Sequence, residues 1–187
     1  MTRIAIFASG SGSNAENIAH YFSNNPDVEV ALILTNKKNA YVLERAKKLQ
    51  IKALTFNRNQ FLETDEILQF LVKNNINLIV LAGFLLKIPA NLIKSFPNKI
   101  INIHPALLPK YGGKGMYGDR VHQSIVENKE TESGITIHFV NEDYDEGKII
   151  FQAKCQISDT DDAHDVAKKI HALEYEHFPK IIDQVIG

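Results

Sequence analysis

Short apolar runs alternate with longer amphipathic stretches along the first half of the chain. This alternation calls for an α/β protein, doubly wound around a mostly parallel sheet. The apolar runs are apolar throughout, as in strands covered on both faces, and do not alternate in and out. Near the end, two strand-like runs flank one short acidic loop, which predicts a late antiparallel pair. The expectation is a single domain over 1–187, a length at which folding buries roughly 70% of the unfolded chain's surface.

The elements are expected in the following order. Strands fall at 3–8, 28–34, 77–82 and 99–103. Helices fall between them at 15–22, 40–49, 60–74 and 90–95. In the third helix Phe61, Ile67, Leu68, Leu71 and Val72 form an apolar stripe at helical spacing. Pro105, Pro109, Gly112, Gly113, Gly115 and Gly118 then fall within 14 residues, too many breakers for a helix or a central strand. A long irregular loop inside a compact domain marks a functional segment. A short helix at 120–127 follows, then strands at 134–140 and 148–157. A closing helix spans 162–186, capped by Asp161 or Asp162, with Pro179 expected to kink or split it.

Composition narrows the function. Twenty-one Lys and Arg balance 22 Asp and Glu, a net charge of −1, which argues against nucleic acid or an anionic membrane as partner. No apolar stretch approaches the roughly 20 residues of a membrane span. Cys155 is the only cysteine, so no intrachain disulfide forms and no CxxC motif exists. With no export signal, a cytoplasmic location is expected.

Ser9-Gly10-Ser11-Gly12-Ser13-Asn14 joins the first strand to the first helix. Exposed backbone N–H groups at a helix start make a natural phosphate site. The plain alternative is a tight turn capped by Ser13 or Asn14. Gly10, Gly12 and Ala15 fit a dinucleotide fingerprint loosely, but the second strand ends in Thr35-Asn36-Lys37-Lys38 with no ribose-binding acid. NAD is disfavoured, while an NADP-binding oxidoreductase using Lys37 or Lys38 stays open. A monophosphate ligand fits best.

Asn102-Ile103-His104-Pro105 ends an apolar strand, with Asn102 and His104 on one face at a carboxyl edge, where α/β sheets bind ligands. Asn and His together suit a reaction in which a carbonyl oxygen gains negative charge. No Ser or Cys stands in a nucleophile setting, so the substrate's own nucleophile would attack directly. Glu142, Asp143, Asp145 and Glu146 offer a carboxylate, and spacing alone cannot choose among them. His104, His122 and His138 lack metal-ligand spacing, so no metal is expected.

Taken in order, Ser9 to Asn14, Leu81-Ala-Gly-Phe84, Asn102 to Tyr111, Gly134 to Val140 and Asp145-Glu-Gly147 make the chain resemble the phosphoribosylglycinamide formyltransferase family. The resemblance covers nearly the whole chain and implies a Rossmann-like formyltransferase fold. It implies transfer of a formyl group from 10-formyltetrahydrofolate to the amine of glycinamide ribonucleotide in purine biosynthesis, with no metal. Matching positions make Asn102, His104 and Asp145 catalytic, with His138 supporting them. Gly12, Ser13 and Asn14 match the phosphate loop and Glu174 a ribose contact. Arg58 and Leu85, Leu86, Lys87 and Ile88, together with Asn102, match folate-contacting positions. The segment 112–122 is longer than in many relatives, and Lys87 departs from the usual apolar residue or Arg. The partners implied are these two small molecules, with a monomer or homodimer expected. Related formyl enzymes would need further domains: an N-terminal one for a formyltetrahydrofolate hydrolase, a C-terminal tRNA-binding one for a methionyl-tRNA formyltransferase. A non-catalytic phosphosugar-binding module is a further alternative.

Overall fold

The computed structural model describes residues 1–187. Its elements are β1 (Thr2–Phe7), α1 (Ser13–Phe22), β2 (Val28–Thr35), α2 (Val42–Lys48), β3 (Lys52–Thr55), α3 (Arg58–Leu62), α4 (Glu66–Lys73), β4 (Leu78–Leu81) and α5 (Ala90–Ser95). There follow β5 (Ile100–His104), α6 (Asp119–Glu127), β6 (Glu132–Phe139), β7 (Ile149–Gln156) and α7 (Ala163–Ile186). The seven strands form one sheet in the order β3-β2-β1-β4-β5-β6-β7. The chain forms two compact units, Met1–Ile101 and Asn102–Gly187.

In the first unit β1 runs parallel between β2 and β4. Ile4 to Ala8 are wholly buried, as continuous apolar runs predict for strands covered on both faces. A ring cluster fills the core beneath the strand ends. Phe7 lies 6.0 Å from Phe56 and 6.0 Å from Phe61, Phe56 stacks on Phe61 at 5.0 Å, and Phe84 meets Phe61 edge-on at 5.4 Å. Such offset and edge contacts add to the burial of the rings.

Two features of this unit depart from expectation. The helix expected at 60–74 is broken into α3 and α4. Thr64 breaks it: its Oγ1 donates to the Gln60 carbonyl at 3.0 Å and accepts the Glu66 N–H at 3.3 Å, replacing helical bonds with local ones. Asn57 starts α3 through a capping box with Gln60. Strand β3, absent from the sequence reading, is four residues long, with Lys52 and Ala53 exposed, and pairs parallel with β2. Its pattern has no apolar run to detect.

In the second unit β6 and β7 pair antiparallel, as expected. Gly134 is required there, since a Cβ would lie 1.9 Å from the Ala153 carbonyl oxygen. α7 starts at Asp162, whose side chain accepts the Asp165 N–H at 2.9 Å. It runs unbroken through Pro179, so the chain does not split there. Proline forfeits one backbone bond, and burial of Phe178, Pro179, Ile181 and Ile182 holds the turns on either side.

Phe61 is 1% exposed and touches three other rings. Phe61→Ala should cost about 3–5 kcal/mol of stability, read as a lower urea midpoint at unchanged slope. An unmoved midpoint would show that the ring cluster contributes nothing.

Candidate active site

The first unit contributes the glycine loop. Gly12 is the N-cap of α1, in the left-handed region at φ 73, and no side chain caps the helix. The alternative of a turn capped by Ser13 or Asn14 is not what forms: both lie inside the helix. A Cβ at Gly12 would sit 2.2 Å from Val42 Cγ2, so both space and backbone require glycine. The Gly10 carbonyl accepts the Val42 N–H at 3.2 Å, and Arg45 donates to the Ser11 carbonyl at 2.9 Å while pairing with Glu16. The loop is thus tied to α2.

Ser9 links three loops at the strand ends. Its Oγ donates to Asn36 Oδ1 at 2.7 Å and accepts the Leu85 N–H at 3.1 Å, and its own N–H donates to Gly83 at 3.0 Å. The segment Leu85 to Ile88 is thereby held at the end of β4, with Leu85 and Lys87 exposed, Leu86 half-buried and Ile88 buried. Arg58 is exposed on the first turn of α3, and Lys37 and Lys38 are exposed after β2.

The second unit brings four polar side chains together. Asn102 and His104 stand two residues apart on β5, and His138 is the penultimate residue of β6. Asp145 lies in the loop before β7. It alone of the four acids there is withdrawn from solvent: Glu142, Asp143 and Glu146 are exposed. Its backbone is left-handed at φ 57, a conformation rare for a residue with a side chain. This turn sends the carboxylate inward. Oδ2 accepts the Gly113 N–H at 2.9 Å and lies 3.6 Å from His104 Nδ1, and Oδ1 lies 3.6 Å from His138 Nε2.

The ring protons follow from the partners. His138 donates from Nδ1 to the Phe139 carbonyl at 2.8 Å, and its Nε2 lies 3.1 Å from Asn102 Nδ2 and 3.6 Å from Asp145. His104 donates from Nε2 to the Tyr111 carbonyl at 2.7 Å, which turns Nδ1 toward Asp145. Burial pushes the His104 imidazole below its usual value, against the pull of Asp145 and the Tyr111 carbonyl. For Asp145, burial acts upward but is outweighed by the His138 ring, the His104 ring and the Gly113 N–H, and the carboxyl ends below its usual range. The resting site therefore holds a carboxylate beside an imidazole whose charged form burial disfavours. Cys155, in contrast, is a strand residue whose thiol burial pushes up, which suits no nucleophile.

A second cluster surrounds Glu174 on α7. His171 donates from Nδ1 to the buried Glu174 carboxylate at 2.9 Å. His122, on α6, packs edge-on to His171 at 6.3 Å, and its buried Nδ1 has no hydrogen-bond partner. No group of three or more His, Cys, Asp or Glu side chains could hold a metal ion. No helix is long and apolar enough to cross a membrane.

Sequence reasoning missed the backbone contributors, the Tyr111 carbonyl and the Gly113 N–H. The only signal for them was the density of glycine and proline after His104.

The cluster has a stated pH response. Burial, then His171, lowers the His122 value against the pull of Glu174 and Asp119, so the unfolded chain binds protons first as pH falls below 6.5. The His122 contribution to stability is whole above 6.5 and is lost below it, a sign that His104 shares. His171 is raised by its Glu174 bond and acts oppositely, its contribution being full in acid and lost as pH rises. His122→Gln should therefore flatten the fall in Tm on acidification through 6.5. A fall as steep as the wild type's would place the acid sensitivity elsewhere.

Known proteins share this chain's sequence pattern and fold. Residues 2–182 match the family described as formyl transferase. A phosphoribosylglycinamide formyltransferase from Haemophilus influenzae is 37% identical over 187 residues, covering 97% of this chain and 86% of its own. The chloroplastic one from Arabidopsis thaliana is 39% identical over 99% of this chain, which spans only 64% of that relative's length. The crystal structure of phosphoribosylglycinamide formyltransferase from Bacillus halodurans superposes with a TM-score of 0.89 at 32% identity, over 100% of this chain and 96% of its own. With the family pattern matched over almost its whole length, the chain belongs to the formyl transferase family.

Proposed function

We propose that this chain transfers the formyl group of 10-formyltetrahydrofolate to the primary amine of glycinamide ribonucleotide, a step of purine biosynthesis. The observation that carries this reading is the half-buried Asp145 carboxylate, 3.6 Å from each of two buried imidazoles and beside the Asn102 amide, in a member of the formyl transferase family.

The amine lone pair attacks the formyl carbon, a C–N bond forms, and the formyl oxygen becomes an oxyanion. Asn102 carries two amide protons and commits one to His138, so the second is the donor for that oxygen. His104 supplies the countercharge. Burial disfavours its charged form at rest, whereas an adjacent oxyanion favours it, so the ring takes up a proton from bulk water as the oxyanion forms and returns it on collapse, and its stabilising effect is greatest in the intermediate. Asp145 is held ionised and accepts the ammonium proton through a water. Collapse breaks the bond between the carbon and N10 of the folate, which takes up the proton, and leaves tetrahydrofolate and the formylated amine. His138 keeps Asn102 oriented. In the first unit Gly12, Ser13 and Asn14 would hold the phosphate, and Arg58 with Leu85 to Ile88 the folate. Glu174 would hold the ribose.

Purified protein with both substrates should yield formylglycinamide ribonucleotide by mass spectrometry. Glycinamide ribonucleotide should raise the Tm by mass action. Stabilisation by NADPH in place of either substrate would retire the transferase reading in favour of an oxidoreductase. Asp145→Asn should lower kcat by about 10²–10⁴-fold, with the nucleotide KM near that of the wild type. A fully active variant would show that another acid moves the proton.

A further inference from the structure

We propose that Glu130, which lies outside the reacting cluster, is a positioning residue for formyl transfer: it clamps Tyr111 so that the Tyr111 carbonyl holds the Nε2 proton of His104. This rests on the reading of His104 as part of the reacting centre.

Glu130 follows α6, where its N–H donates to the Ile125 carbonyl at 3.2 Å. Its carboxylate takes three bonds from two consecutive residues of the glycine-rich loop. Lys110 Nζ donates to both oxygens, at 3.0 and 3.1 Å, and the Tyr111 hydroxyl donates to Oε1 at 2.9 Å. Tyr111 itself is left-handed at φ 56, a backbone state that a tyrosine keeps only where its surroundings impose it. The side-chain anchor at Glu130 and the backbone bond to His104 are the two ends of that imposition. Between them, the hydroxyl fixes the ring and the reversed backbone turns the carbonyl onto the imidazole at 2.7 Å.

An ordinary surface ion pair does not account for this arrangement. The Lys110 side chain is 65% exposed, so its pair with Glu130 adds little to stability. The hydroxyl is held in its protonated, donating form. Burial and then Glu130 push the Tyr111 phenol up to about 12, while Lys110 and Tyr111 hold the Glu130 carboxyl below its usual value. The groups that face His104 are Asp145, His138 and the Tyr111 carbonyl. The carbonyl belongs to the residue whose side chain is anchored on Glu130, and it favours the protonated ring. It also selects the tautomer that leaves Nδ1 turned to Asp145.

Two measurements test the assignment. In Glu130→Ala, kcat should fall about tenfold through misplacement of the imidazole, with both KM values near those of the wild type. The His104 titration, followed by ¹⁵N NMR in labelled protein and assigned with His104→Gln, should move to lower pH and lose its preference for the Nε2-protonated tautomer. Glu130→Gln keeps an acceptor for the hydroxyl and should restore most of kcat. Tyr111→Phe should resemble Glu130→Ala, and the double variant should be no worse than either single, because both cut one connection. A Glu130→Ala protein with wild-type kcat and an unmoved His104 titration would overturn the proposal, as would a lower Tm with kcat per folded enzyme unchanged. The NMR titration needs no substrate. A wild-type protein that formylates nothing yet shows the Glu130-dependent tautomer would defeat the proposed function and leave this positioning role standing.

Discussion

A carboxylate held between two buried imidazoles is the constraint around which the second unit is arranged. Asp145 is reached by a left-handed turn, steadied by a backbone N–H from Gly113, and set 3.6 Å from His104 and His138. Each imidazole spends its other nitrogen on a main-chain carbonyl, Tyr111 for one and Phe139 for the other. Neither ring is thus free to turn, and the charge distribution is prepared before any ligand arrives. Preorganisation of this kind is what lowers the cost of charge development in a reaction. Burial serves the same end, since it makes the His104 proton responsive to a neighbouring negative charge.

The first unit is organised by a different rule, closeness of backbone. Gly12 admits Val42 where any Cβ would collide, so the turn after β1 and the start of α2 share one small space. Ser9 then joins Asn36 and the Leu85 N–H, linking the exits of β1, β2 and β4. Loops made this way carry few side chains of their own chemistry. What they present is main-chain groups that the strand ends hold in place.

What could be read in advance follows from where information resides. Alternating apolar runs carried the parallel strands, because burial on both faces leaves a plain signature. Asn102 and His104 were legible because a strand end places residues i and i+2 on one side. Asp145 was not legible by spacing: it shares its loop with Glu142, Asp143 and Glu146, and only burial and its backbone state separate it from them. The resemblance to a known family selected it where periodicity did not. The carbonyl of Tyr111 and the N–H of Gly113 belong to every residue type and leave no mark in a sequence. β3 escaped because four residues with an exposed lysine look like a loop, and the break at Thr64 because one hydroxyl outweighed a good helical stripe.

The order of strands has a practical outcome for the protein in concentrated solution. Its two borders are β3, only four residues long, and β7, whose residues alternate between half-covered and open to water. Lys52 stands on one border and Lys154 on the other, and the second is paired to Glu132 on the neighbouring strand. A brief or charged border is a poor template for another chain's backbone. Both ends of the sheet thus carry features that disfavour backbone pairing with another chain.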